Sequence, residues 1–437
     1  MVVRAVGDGE CCHAFASRWS LSVWDANLAT PSNFDCDGPR AANRALHTVS
    51  WRQVPPVFSP VSARSLIGGA AAACGLRARI EGARDALRGR YDAADALLTD
   101  SGTSALILAL RATVPPGGTI AYPGYSCIDL TTAALGAGMR VRLYDIDPRT
   151  LSPDLDSVSR AIDRGVDAIV VAHLYGYPAD VQGVQRLASA RGIPVIEDSA
   201  QGAGGTLQGV RLGSIGDISV LSFGRGKGTT TGSGGAILIR TPELAARLRV
   251  MGEQLSLGRR GGKDVGILAA QWLFSHSLLY HLPASVPILR LGEMVYHPPR
   301  RPRSMSAAAI AMLPAVLRFD DVDVASRRAR AQGLIARING SGRVVPIQPV
   351  SGGAPGFLRL AVADSTGLLA AHTRLGIIRG YPLTLAQHEP LKPMLLSGES
   401  AGPGSMLLRD RLFTLPTHSR VRARDEIRLQ ELLSAST

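Results

Sequence analysis

Lysine is nearly absent from this chain. Of 48 basic residues among 437, only Lys227, Lys263 and Lys392 are lysines; the rest are arginine. Aromatic residues make up 5% and charged residues 19%. The net charge of +13 is therefore scattered along the chain and forms no basic stripe with stacking rings, which argues against nucleic acid as a partner. Small anionic substrates suit such a balance better. The five cysteines (Cys11, Cys12, Cys36, Cys74, Cys127) are an odd set. No second close pair completes a site beside Cys11, Cys12 and His13, so no metal is expected, and reduced thiols of a cytoplasmic protein fit best. The first residues hold Arg4, Asp8 and Glu10 and no apolar run, so no secretory leader is expected. One long apolar stretch exists, Ile267 to Leu289, but Gln271, His276, His281 and Pro283 interrupt it. These are costly in lipid, so it predicts a buried helix or an interfacial patch and not a membrane span.

What is present is enough for a large core: hydrophobic residues make up 46%. Residues 1–55 show no sustained period and read as a peripheral segment. From about residue 56, short apolar runs alternate with helical patterns, the mark of a mostly parallel sheet covered by helices on both faces. Strands are expected at 96–99, 119–122, 140–144, 168–172, 194–196, 218–222 and 236–239. Residues 63–91 carry helical spacing, and helices are also expected at 305–317 and 322–339. The run His297–Arg303, HPPRRPR, reads as a linker. The organisation expected is a large α/β domain over 56–300, with an apolar insertion at about 265–292, and a smaller α+β domain over 301–437.

Three segments fall at strand ends, where open α/β sheets hold ligands. Asp100-Ser101-Gly102-Thr103-Ser104 places small and hydroxylated residues where a helix begins, which suits a phosphate and equally an ordinary cap. Pro194-Val195-Ile196-Glu197-Asp198 runs a buried strand into two carboxylates, and an ionised group there needs a partner. Ser222 to Gly235 sets Lys227 among glycines and hydroxyls, where an amine can act as a nucleophile or lie on a solvated loop. The Gly226-Lys227-Gly228-Thr229 run is not a nucleotide-binding P-loop, because Leu221 and Gly228 occupy positions that motif reserves for glycine and Ser/Thr.

In order, SGTSAL, HLYGYPAD, PVIEDSAQ, GSIGDISVLSF, K-x-x-T-T-G-x-G-G and LFTLPTHSRV resemble the DegT/DnrJ/StrS aminotransferases. The resemblance implies a fold-type-I pyridoxal-phosphate (PLP) transferase, usually a homodimer with active sites near the subunit interface. It implies that Lys227 holds the cofactor as a Schiff base and that Asp198 faces the pyridine nitrogen. Gln201 would lie near the ring hydroxyl, and Gly102, Thr103, Ser104 and Ser222 would hold the phosphate. The place of the usual stacking aromatic holds Cys127, so either that thiol or Tyr125 would face the ring. Ser233 replaces a usual glutamate. The asparagine that a neighbouring subunit usually lends to the phosphate is missing, and Arg301 and Arg303 stand nearby instead. His388 and Lys392 are candidates for an anionic substrate group. The function implied is amino transfer from glutamate or glutamine to a keto sugar in nucleotide-linked form, in polysaccharide or secondary-metabolite synthesis. The alternatives are cyclitol amination, sugar dehydration, or a degenerate regulatory homologue. Lys227 argues against the dehydrating branch, which carries histidine there. The apolar stretch adds the hypothesis of work beside a membrane.

Overall fold

Apolar runs of five residues can be buried on both faces only when helices cover both sides of a sheet, and that is how this chain folds. A computed structural model describes residues 52–256, 258–286, 295–338 and 343–434. Two helices, α1 (Ala63–Ala73) and α2 (Ile80–Tyr91), come first. The single helical pattern read over 63–91 breaks between them at Gly75, whose φ of 114° suits glycine alone.

The central sheet has seven strands: β1 (Asp95–Thr99), β2 (Thr119–Pro123), β3 (Arg140–Tyr144), β4 (Ala168–Ala172), β5 (Val195–Asp198), β6 (Ile218–Ser222) and β7 (Gly235–Ile239). Their spatial order is β1-β7-β6-β5-β4-β2-β3. β2, β3, β4, β5 and β6 pair in parallel, while β7 is antiparallel to both its neighbours, β1 and β6. Among the crossover helices are α3 (Gly102–Thr113), α4 (Asp129–Ala137), α5 (Leu155–Asp163) and α6 (Val181–Ser189). β2 and β4 are buried throughout, as a doubly covered sheet requires.

Helix α7 (Pro242–Glu253) is followed by α8 (Gly262–Phe274) and a turn region reaching residue 286. The apolar stretch is not a buried helix: in α8 only Leu268 is buried. Its last residues, 287–289, lie outside the described set. The expected linker is irregular. After it, the two helices expected on either side of residue 320 form one, α9 (Ala307–Ile335), 29 residues long with Pro314 inside it. Its first half packs Ala309, Ile310, Leu313 and Leu317 on Leu98, Leu221 and Leu238 of the large sheet. Its end packs Ala331 and Leu334 with the C-terminal residues Leu412, Leu429 and Leu433. This helix thus packs on both the large sheet and the C-terminal residues.

A four-stranded antiparallel sheet, with strands at Val344–Pro346, Leu360–Asp364, Ile378–Arg379 and Leu412–Leu415, forms the small unit. Of the peripheral segment, residues 1–51 lie outside the described set. Residues 52–55 are built into the fold: Arg52 pairs with Asp425 at 2.6 Å, and Val54 is buried.

Candidate active site

The C-terminal ends of β5 and β6, the start of α3 and the loop after β6 surround one cleft. It holds about 490 Å³ of empty space out to its mouth, and Gly102, Thr103, Cys127, Asp198, Gln201, Ser222 and Lys227 all line it. Residues distant in sequence thus meet where an open parallel sheet leaves its crevice.

The floor is decided by strand alternation. Successive side chains on β5 point to opposite faces, so Glu197 and Asp198 have different surroundings. Glu197 turns into protein, where it accepts from the N–H groups of Gly213 (2.6 Å), Ile215 (2.9 Å) and Gly216 (2.9 Å) and from Ser219 Oγ (2.8 Å). His173 Nε2 stands 2.9 Å from its Oε1. Burial would raise its pKa, but His173 and the Gly216 and Gly213 amides outweigh that and hold it at about 2. Asp198 faces the cleft, and its Oδ1 accepts from Ala200 N–H at 3.0 Å. Burial pushes its carboxyl above the usual range, while the Ala200 amide and then Lys227 pull back. Asp198 is thus a buried acid short of cationic partners.

The opposite wall is the lysine loop. It is tied down, not solvated: Thr230 Oγ1 donates to Phe223 O at 3.1 Å, Thr231 N–H donates to the same oxygen at 3.0 Å, and Ser59 Oγ donates to Lys227 O. Ser233 Oγ donates to Asp264 Oδ2 at 2.9 Å, so the residue standing in place of glutamate anchors the loop to α8.

At one end of the cleft, Ser101 caps α3 by accepting Ser104 N–H at 3.0 Å. The first helical amides, those of Gly102 and Thr103, have no acceptor within the helix and suit an anion. A Cβ on Gly102 would come within 2.6 Å of Ser222 Cβ and 2.8 Å of its Oγ, so only glycine lets that hydroxyl approach the helix start. Ser104 does not join them; it is buried and its hydroxyl accepts from Ser101 Oγ at 3.0 Å.

Cys127, not Tyr125, reaches the cleft. Tyr125 is fully buried, and its hydroxyl accepts Tyr381 N–H at 2.6 Å. The Cys127 thiol is pushed up to about 12 by burial and by Asp129, against the pull of Lys227, and so offers a neutral, polarisable surface. Gln201 is oriented by two bonds: it accepts Tyr175 N–H at 2.9 Å and donates to Tyr381 OH at 2.6 Å.

The candidate substrate residues lie elsewhere. His388 is buried with Nδ1 3.0 Å from Thr131 Oγ1, and exposed Lys392 pairs with Glu389 at 2.6 Å. Arg301 and Arg303 are exposed, although Arg303 O accepts Asp100 N–H at 2.9 Å beside the α3 start. Sequence reasoning left out Ser126 and Asp129, which also line the cleft; Ser126 Oγ is buried with no partner among the described residues. Their position just after β2 was the available signal. His173 lines it too, with both ring nitrogens engaged, Nδ1 accepting Ala179 N–H at 3.0 Å.

These residues fit pyridoxal phosphate. The Gly102 and Thr103 amides beside Ser222 suit its phosphate, Asp198 its ring nitrogen, Lys227 its aldehyde, and the neutral thiol its ring face.

Comparison with known proteins agrees with the geometry. A 149-residue stretch is 39% identical to L-glutamine:2-deoxy-scyllo-inosose aminotransferase of Streptoalloteichus tenebrarius, covering 34% of this chain and 35% of that protein. A 159-residue stretch is 35% identical to dTDP-4-dehydro-2,3,6-trideoxy-D-glucose 4-aminotransferase of Saccharopolyspora spinosa, covering 36% and 41%. The chain thus spans well under two thirds of the length of these curated relatives. The crystal structure of S. venezuelae DesV in complex with a ketimine intermediate has the same fold, with a TM-score of 0.69 at 22% identity over 88% of this chain and 98% of that one. The sequence profile of the DegT/DnrJ/EryC1/StrS aminotransferase family matches residues 85–265, the stretch that holds the lysine, both strand-end carboxylates and the anion cradle, and over that stretch the chain is similar to this family.

Proposed function

We propose that the protein is a pyridoxal-phosphate-dependent aminotransferase that moves an amino group from glutamate or glutamine to the ketone of a sugar, nucleotide-linked, in polysaccharide or secondary-metabolite synthesis. One observation carries this reading: an amine on a tied-down loop and a buried acid in want of a cation line the same cleft. When bound, the cofactor supplies an aldehyde that captures amino groups and a ring that takes up the electrons released at the substrate carbon.

The chain's own residues do the rest. Asp198 holds the proton on the ring nitrogen. The Gly102 and Thr103 amides and the Ser222 hydroxyl bind and orient the phosphate. Lys227 Nζ would hold the cofactor through its aldehyde carbon and, when free as an amine, would serve as the base and acid that moves a proton beside the amino group. Gln201, held by Tyr175 and Tyr381, fixes the ring's hydroxyl edge. We place the protein in the cytoplasm as a homodimer, as its resemblances imply.

A carbocyclic ketone is the second substrate reading, favoured by the match to the inosose aminotransferase. The test is to incubate purified protein and cofactor with glutamate or glutamine and a panel of keto-sugar nucleotides and inososes, with products read by mass spectrometry. The expected result is a mass gain of an amine for ketone on one class, together with visible cofactor absorbance that Lys227→Ala abolishes. A protein that stays colourless with excess cofactor, and converts nothing, refutes the reading.

A further inference from the structure

We infer that the segment after α8 is a membrane-surface docking patch for a bilayer containing anionic lipid. From α8 into the following turn, Trp272, Leu273, Phe274, Leu278, Leu282 and Val286 are each between 36% and 52% exposed. Soluble surfaces scatter such side chains singly; a run of them within one short segment marks a contact surface. The segment cannot cross a bilayer: α8 has 13 residues, and no helix among the described residues is long and apolar enough. Lying in the plane of the interface is what a short apolar face with basic flanks does.

Charge selects the occupant. Among the described residues between 259 and 303, six are basic (Arg259, Arg260, Lys263, Arg300, Arg301 and Arg303) and one is acidic, Asp264, which accepts from Ser233 Oγ. From the adjoining C-terminal loop, Arg420 donates to Trp272 O at 2.7 Å and sets its guanidinium 5.9 Å from the Trp272 ring and 4.8 Å from the Phe58 ring. Arg422 contacts His276. Apolar side chains framed by arginine match an anionic headgroup layer over an acyl boundary. The buried side of α8, whose end carries the patch, faces the lysine loop: a Cβ on Gly232 would meet Leu268 at 3.0 Å. A surface-bound enzyme would therefore work within reach of lipid-attached saccharides.

Cofactor-loaded full-length protein is to be sedimented with phosphatidylcholine vesicles containing about a third phosphatidylglycerol, and with pure phosphatidylcholine vesicles. The expected result is co-sedimentation with the anionic vesicles, weakened in about 0.5 M salt. The triple variant Trp272→Ser, Leu273→Ser, Phe274→Ser should lower partition about tenfold or more with the visible cofactor band intact. Absence of binding to either vesicle overturns the proposal. So does equal binding of the triple variant, or a triple variant whose only change is a smaller particle in light scattering, which would assign the face to a second copy of the chain.

Discussion

Replacing Asp198 by asparagine separates what this acid does for the chemistry from what it does for the fold. Asparagine is nearly the same size, and its amide oxygen can still accept Ala200 N–H, now 3.0 Å from Oδ1, so the loop after β5 should hold. What disappears is the negative charge opposite the ring nitrogen. Removing one member of a buried, hydrogen-bonded charge pair costs about 3–5 kcal/mol, which corresponds to a rate loss on the order of 10²–10⁴-fold if the charge acts in the reaction. The assay is the single-turnover conversion of bound cofactor to its amine form by glutamate, followed by visible absorbance. Stability should move the other way. Burial raises the Asp198 carboxyl above its ordinary range, so the empty folded protein holds that proton more tightly than the unfolded chain does. Its stability therefore falls as pH rises from the unfolded pKa through the folded one. D198N removes this penalty, so the cofactor-free variant should melt higher than the parent at neutral pH, with the gap closing in acid. A half-reaction rate within about threefold of the parent, or a cofactor-free variant that melts lower, would refute the reasoning.

Glu197→Gln should do the reverse, lowering stability by about 2–4 kcal/mol in urea titration, because six donors converge on a charge that glutamine lacks. The parent's Glu197 contribution is present above its ordinary value of 4.5 and is lost as pH falls from there to about 2; E197Q should flatten that stretch of the stability–pH curve. Gly102→Ala puts a methyl 2.6 Å from Ser222 Cβ and should weaken cofactor binding about tenfold or more, seen by absorbance titration, with little change in melting of the empty protein. With its thiol near 12, Cys127 should react with iodoacetamide at neutral pH about a hundredfold slower than an ordinary thiol, measured by peptide mapping.

Much of the site was legible because its chemistry lies in contiguous runs. A lysine among glycines, a buried strand ending in two acids and a hydroxylated helix start are local patterns, and strand-end placement follows from any open parallel sheet. The residues misplaced were those whose direction depends on distant partners. Tyr125 is drawn into the core by Tyr381 and His388 by Thr131. The two helices expected around residue 320 join into α9 through Asp320, which is buried with Asp323 and Arg327, Arg327 Nε lying 2.9 Å from Asp323 Oδ2.

Composition and periodicity alone determined the layered α/β class, because burial on two faces leaves continuous apolar strands, and local motifs determined which amine and which acid to examine. Tertiary structure decided the division of labour between Glu197 and Asp198, since neighbouring residues on a strand face opposite ways and only the packed loop at 213–219 says which side is protein. It also decided that the apolar stretch after α8 lies open at the surface, because whether a hydrophobic run is covered depends on what the rest of the chain brings to it.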